Sequence, residues 1–131
     1  MSQENVELAY LTCDAVNRHD LGAVLALMDD DVEGIPLVAA LEGGCHGHDG
    51  IRRWWENLHD GFPDFTIDVV EVRDLGDLTL AALHLHGHGA GSDTPFELAI
   101  WYLAEWRNGK AVSWSAHRTQ ADALEAADRR D

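Results

Sequence analysis

The hydrophobic rhythm of this 131-residue chain changes midway, from a period of three to four residues to a period of two. In "SQENVELAYLTCDAVNRHD", Val6, Ala9, Cys13 and Val16 recur at helical spacing, with Ser2 as N-cap and Asn5 as the alternative cap. "NRHDL" interrupts the pattern, and Asp20 is placed to cap a second helix whose inner face is Leu21, Val24, Leu25 and Met28. "DDDVEGIPL" reads as a turn and a short strand broken by Pro36, and "EGGCHGHDG" as a glycine-rich loop. A third helix follows in "HDGIRRWWENLHDGF", with Ile51, Trp54, Trp55 and Leu58 on its apolar side and Gly61 as its stop.

Beyond that helix the pattern is mostly strand. "FTIDVVEVRDL", "LTLAALHLHGHG", "FELAIWYLAEWR" and "AVSWSAHRT" are separated by "GD", "GAGSDTP" and "RNGK". The Asn-Gly pair in the last of these favours the positive φ angles that a two-residue hairpin requires. "QADALEAADRR" closes the chain as a helix. Three helices followed by a four-strand antiparallel meander predict an α+β fold, a curved sheet wrapped around the N-terminal helices as a cone. Its apolar interior is where a small-molecule site belongs. No repeat or linker divides the chain, so residues 1–131 read as a single domain.

Alternation sorts the sheet residues. Phe96, Leu98, Ile100, Tyr102, Ala104 and Trp106 share one face, and Glu97, Trp101 and Glu105 the other. The first set is the more apolar and is assigned to the interior. Tyr102 is then the best polar candidate inside, and it reads equally as a core tyrosine whose hydroxyl finds a backbone partner. His84, His86 and His88 also alternate, as metal ligands on one strand would. Leu83 and Leu85 alternate with them and claim the inside, so the imidazoles face outward, with Glu97 near His86 across the strand pair. Such a face could bind zinc, or be a solvated or dimer-buried surface that titrates near neutrality. Three His ligands would also need an open, shielded fourth position, so neither a metal nor any other cofactor is expected.

Charge narrows the partners. Twenty-four acidic residues against nine basic ones give a net charge of −15, a field that repels a phosphate backbone, so no nucleic acid partner is expected. No apolar run approaches the ~18–20 residues of a membrane span, and no signal sequence opens the chain. Cys13 and Cys45 sit in no paired spacing. A reduced, cytoplasmic protein without a membrane partner is the resulting expectation.

Several of these segments carry a resemblance. "N-R-x-D-L" after an amphipathic helix and "G-x-x-G-I-R-x-W-W" opening another, with "EVRDLGD" and "WRNGKAVSW", resemble the SnoaL-like branch of the nuclear-transport-factor-2-like superfamily over nearly the whole chain. The resemblance implies a cystatin-like α+β barrel with an internal pocket, and a homodimer formed through the outer sheet face. Members include polyketide cyclases, ketosteroid isomerases, epoxide hydrolases and dehydratases. In the ketosteroid isomerases a tyrosine on the first helix and a late-strand acid hold the enolate oxygen, while an aspartate ending the first strand moves the proton. By resemblance these three positions fall on Thr12, Tyr102 and Ile35. Ile35 cannot carry a proton, so ketosteroid isomerisation by that route is not expected. The arginine and paired carboxylates of the epoxide hydrolases have no matched positions.

The expected pocket therefore has Tyr102 as its catalytic or orienting group. Its lining is Thr12, Cys13, Val16, Met28, Ile35, Trp54, Leu58, Leu83, Leu85, Leu98, Ile100 and Trp114. Trp54, Trp55 and Trp114 could stack on a flat ligand or serve as plain core. Cys13 reads as a nucleophile only with an activating partner, and otherwise as a small core residue. His59 and His117 fall near element ends, where pocket mouths form, and read as acid/base groups or as solvent-facing imidazoles. Two functions follow. One is an isomerase-, cyclase- or dehydratase-like enzyme that moves protons on a small apolar carbonyl or hydroxyl compound. The other is a non-catalytic binding protein for a small hydrophobic ligand.

Overall fold

A computed structural model describes residues 2–36 and 44–129. Four helices are present, α1 (Ser2–Asn17), α2 (Leu21–Ala26), α3 (Gly47–Gly61) and α4 (Gln120–Asp128). The strands are β1 (Met28–Ile35), β2 (Cys45–His46), β3 (Thr66–Leu75), β4 (Leu78–His88), β5 (Pro95–Arg107) and β6 (Lys110–His117). They form one curled, unclosed sheet in the order β2-β1-β6-β5-β4-β3. The α+β class and the antiparallel β3–β6 meander match the periodicity.

Three features differ from it. First, the sheet has six strands and is not wholly antiparallel: β1 runs parallel to β6, with Gly34 opposite Trp114, and β2 pairs antiparallel with β1. Second, α2 stops at Ala26, so Met28 opens β1 instead of closing the helix. The start of β6 captures this segment, with Ala111 N–H donating to Leu27 C=O at 2.9 Å and Met28 opposite Ala111. Third, α1 already begins at Ser2, which puts Asn5 inside the helix, where its amide donates to Gly76 C=O at 3.1 Å. The Ser2 side chain lies outside the described residues, as does the Gly43 end of the glycine-rich loop; within the described part of that loop, Cys45 and His46 form β2.

Local chemistry explains the boundaries. Asp20 caps α2 by accepting from Ala23 N–H at 3.0 Å. Asn108 and Gly109 take φ values of 54° and 79°, which closes the β5–β6 hairpin with Arg107 opposite Lys110. Thr119 caps α4 through Asp122 N–H at 3.1 Å.

The concave side of the sheet packs on α1, α2 and α3 through residues such as Ala9, Val16, Val24, Ile51, Trp55, Leu83 and Ile100. Trp106, also sorted inward, is buried and donates its indole N–H to Thr79 Oγ1 at 2.9 Å. Helix α4 lies on the convex side, where Ala123 and Ala127 cover Leu78, Leu80 and Leu103. Trp101 packs at the margin of that second cluster. Part of the outer face is therefore covered by the chain itself. Among the described residues no helix is long and apolar enough to cross a membrane.

Asn17 joins the first helix to the sheet's edge. Its Nδ2 donates to Ile67 C=O at 2.8 Å and its Oδ1 accepts from Ile67 N–H at 2.7 Å. Asn17→Ala leaves both backbone groups of an edge strand without these partners. We expect a loss of about 1–3 kcal/mol in urea unfolding. An unchanged midpoint would mean that water satisfies Ile67 equally well.

Candidate ligand cavity

The curled sheet and the helices enclose a cavity of about 440 Å³. Helix α1 brings Thr12, Cys13 and Val16 to it because these stand on the face that packs toward the sheet. Met28 contributes from the first position of β1, and Trp54 and Leu58 from α3, one helical turn apart. Leu83, Leu85, Leu98, Ile100, Tyr102 and Trp114 come from the concave face of the sheet.

Every residue expected in the pocket is thus at this cavity except one. Ile35 is 51% exposed. Strand alternation places Val32, Gly34 and Pro36 inward and Ile35 outward. The inward position 34 is a glycine because a Cβ there would overlap the Trp114 ring. Pro36 lines the wall in the place assigned to Ile35. Positional counting from the family pattern landed one residue off, and alternation read from Val32 would have corrected it.

Other lining residues were not singled out. Val24 and Phe96 already stood on inward-sorted faces, and Asn57 lies three residues after Trp54 on the same helix. Phe62 and Phe65 follow α3 in a segment with no period to read. Trp55, a stacking candidate, is core instead, 8% exposed and absent from the cavity wall.

The wall holds few polar groups. Thr12 donates its hydroxyl to Leu8 C=O at 2.9 Å, one helical turn back. Burial pushes the Cys13 thiol up to about 12, so it stays protonated at neutral pH. Burial first, and the neighbouring Cys13 second, also raise the Tyr102 phenol above its ordinary value. Tyr102 is half-buried and lines the cavity, and its hydroxyl has no hydrogen-bond partner among the described residues. Trp114 lies 5.2 Å from Trp54 and 5.8 Å from Tyr102 between ring centroids, and its indole nitrogen is buried without a hydrogen-bond partner among the described residues. No Asp, Glu, His, Lys or Arg is among the described lining residues.

The histidines stand elsewhere. His59 sits behind the wall, its ring 4.3 Å from Trp55 and 4.8 Å from His19, with Nδ1 placed 3.0 Å from Trp55 C=O. His117 points to the other face, its Nε2 2.7 Å from Ser115 Oγ. Neither is the acid/base group at the mouth that its position suggested. His84, His86 and His88 face outward, as alternation requires. Each meets a different carboxylate: Glu97 at 3.8 Å, Asp68 at 3.0 Å and Asp64 at 2.7 Å, respectively. Glu97 is opposite His86 in register, yet its carboxylate reaches His84. Among the described residues no group of three or more His, Cys, Asp or Glu side chains is arranged to hold a metal ion.

A model of the SnoaL-like domain matches residues 9–114. The chain belongs to the SnoaL-like family. No curated protein matches its sequence. Solved structures give the same architecture. A nuclear-transport-factor-2-like protein of unknown function from Burkholderia pseudomallei aligns with a TM-score of 0.80 and 20% identity, over 93% of this chain and 95% of that one. A hypothetical protein with a ketosteroid isomerase-like fold from Catenulispora acidiphila, crystallised in complex with trimethylamine, gives 0.77 and 18% over 91% and 90%. TerC, co-crystallised with polyporic acid, gives 0.78 and 19% over 93% and 96%. At these identities the likeness establishes the fold alone.

In this SnoaL-like chain the cavity wall depends on Gly34. Gly34→Ala drives a methyl group into the Trp114 indole, so the ring or the strand must shift. We expect a stability loss of about 1–3 kcal/mol from overpacking and a changed Trp114 environment in near-ultraviolet circular dichroism. A stable variant with an unchanged spectrum would show that the strand moves instead.

Proposed function

We propose that this protein holds one small, uncharged and largely apolar molecule bearing a carbonyl or hydroxyl group, with Tyr102 donating to its oxygen. One observation carries the reading. The described lining has no group that ionises at neutral pH, and it keeps one unpartnered hydroxyl beside an aromatic wall. A cavity of about 440 Å³ lies within the range that small-molecule sites occupy. Because Tyr102 and Cys13 both retain their protons, the described part of the wall can orient and polarise a ligand but supplies no base. That balance favours a binding protein over a proton-transfer enzyme. The family gives weight to a second reading, an isomerase-, cyclase- or dehydratase-like reaction in which Tyr102 polarises a carbonyl. Two related structures were crystallised with the small molecules trimethylamine and polyporic acid, which supports a small-molecule cavity in this fold and says nothing of the ligand's charge here.

Native mass spectrometry of protein purified without added ligand will identify the occupant. With that compound, or with benzophenone as a neutral aromatic ketone, Tyr102→Phe should weaken binding by about 0.5–1.5 kcal/mol in calorimetry. The ring volume is kept and only the donor is lost. Unchanged affinity together with a less stable fold would make Tyr102 a core residue. Turnover of the occupant, abolished in Tyr102→Phe, would favour the enzyme.

We also infer a homodimer through the outer sheet face, with Trp101 and the His84–His88 ladder at the contact. An aromatic and imidazoles beside Glu97 make this surface too polar for a core and too apolar for plain surface. Sedimentation at micromolar concentration should give twice the 14.5 kDa chain mass. A monomer whose Trp101 is open to quenchers would end the idea.

A further inference from the structure

The tip of the β4–β5 hairpin meets the end of α3 over one side of the cavity. Phe62, just after α3, and Phe96, near the start of β5, both line the cavity. Their ring centroids are 4.5 Å apart and both rings are half-buried. The β3–β4 ladder begins beside them, with Thr66 opposite His86, and beyond its end polar contacts at the surface carry the pairing outward. Ala90 N–H donates to Gly61 C=O at 2.8 Å. Asp64 accepts from His88 N–H at 2.7 Å through Oδ1, and its Oδ2 lies 2.7 Å from His88 Nδ1.

Glycine permits this approach. A Cβ at Gly87 would stand 2.9 Å from Asp64 Oδ1 and 3.2 Å from the Phe96 ring. Gly91, at φ +72°, turns the tip itself. The hydrogen bonds from His88, ring first and backbone second, hold the Asp64 carboxyl below its usual range. The contact is therefore charge-assisted, yet it is solvated. The Asp64 and His88 side chains are 53% and 46% exposed.

We propose that this clip is a gate: the Asp64–His88 and Gly61–Ala90 contacts hold Phe96 against Phe62, and their release swings the hairpin tip aside to admit an apolar molecule to the cavity. Exposed hydrogen bonds at the end of a ladder belong to the less stable parts of a fold and open before its core. The ladder inward of the tip, where Leu85 faces Leu98 and Leu83 faces Ile100, is anchored in the core and stays. Opening therefore moves the paired end of the hairpin, where Gly87 faces Phe96 and His88 faces Pro95, as one piece, and the two rings are the surfaces it separates. This concerns access to the cavity, whatever occupies it.

Cys13 is a reporter already inside the cavity. In a Cys45→Ser background its thiolate attacks the disulfide of 4,4′-dithiodipyridine, a neutral flat reagent. A protein–pyridyl disulfide forms, the reagent's sulfur–sulfur bond breaks, and the released thiolate is protonated to thiopyridone, whose absorbance is read. Asp64→Ala and Phe96→Ala should each accelerate labelling by about three- to tenfold, the size of one weakened charge-assisted contact at a surface. His88→Ala, which keeps the backbone hydrogen bond, should give a smaller rise and serves where Asp64→Ala is poorly folded. Leu103→Ala destabilises the convex cluster far from the gate and should leave the rate near that of the parent under native conditions. Parent-like rates in all the gate variants would overturn the proposal. So would rates that follow thermal stability across the whole set, Leu103→Ala included, because labelling would then report global unfolding. Either result leaves the binding reading to its own test.

Discussion

The Asn17 amide on the backbone of Ile67 is the contact on which the interior depends. An unclosed, curled sheet has two exposures to manage, a concave apolar face and an edge of unpaired backbone groups. Strand β3 is such an edge. Asn17 supplies one donor and one acceptor to a single residue of that edge, at 2.8 and 2.7 Å, and so stands in for a missing strand. The same contact fixes where α1 ends, and thereby sets Thr12, Cys13 and Val16 over the cavity. The residues that follow complete the turn. Arg18 pairs with Asp14 and Asp20, His19 takes a left-handed φ of 55°, and Asp20 caps α2. The "N-R-x-D-L" pattern is legible afterwards as physics: an edge clamp, then a cap, one turn apart.

Strand β4 shows how one segment serves two sides. In "LHLHGH" the leucines wall the cavity and the histidines form a row outside, each met by its own carboxylate. A one-residue slip would exchange the two rows and put imidazoles into an apolar interior, so burial of the leucines specifies the register strongly. His88 and Asp64 then take the outer row to the hairpin tip, where it meets α3. A polar row on the convex side thus ends beside the rim of an apolar cavity on the other.

Much of the architecture was readable from local signals. Period-two alternation located β3 to β6 closely, since each strand buries one face and is bounded by Gly, Asn, Asp or Pro. Asn108-Gly109 adopts the φ pair its chemistry favours. The parallel pairing of β1 with β6 was not readable, because it joins segments about 80 residues apart and leaves no local trace beyond a short apolar alternation. The same pairing moved Met28 from helix to strand, a case of tertiary contacts overriding helical spacing. At the cavity, Leu83, Leu85, Leu98, Ile100 and Tyr102 followed from alternation, whereas Ile35 was placed by positional analogy and faces solvent. Analogy carries no information about which way a side chain points. The Gly34–Trp114 contact, which does, is invisible until β1 lies beside β6.

A net charge of −15 on a chain with no described charge at its cavity wall is a consistent arrangement rather than a contradiction. Carboxylates are costly to bury unpaired and cheap to leave in water, so they collect outside, where His84, His86, His88 and the arginines find them. Their summed field lowers the local concentration of anions near any opening. An anionic ligand would meet that repulsion first and then a wall of leucines, aromatics and protonated hydroxyl and thiol groups that offers no countercharge. A neutral molecule meets neither barrier. Discrimination of this kind needs no dedicated residue inside, because exclusion of the charged form is built into where the charges could not go. If the cavity holds a ligand as proposed, the interior would add orientation, through the Tyr102 hydroxyl and the Trp54–Trp114 rings. The exterior would then sort ligands by charge, and the interior by shape and by the position of one acceptor.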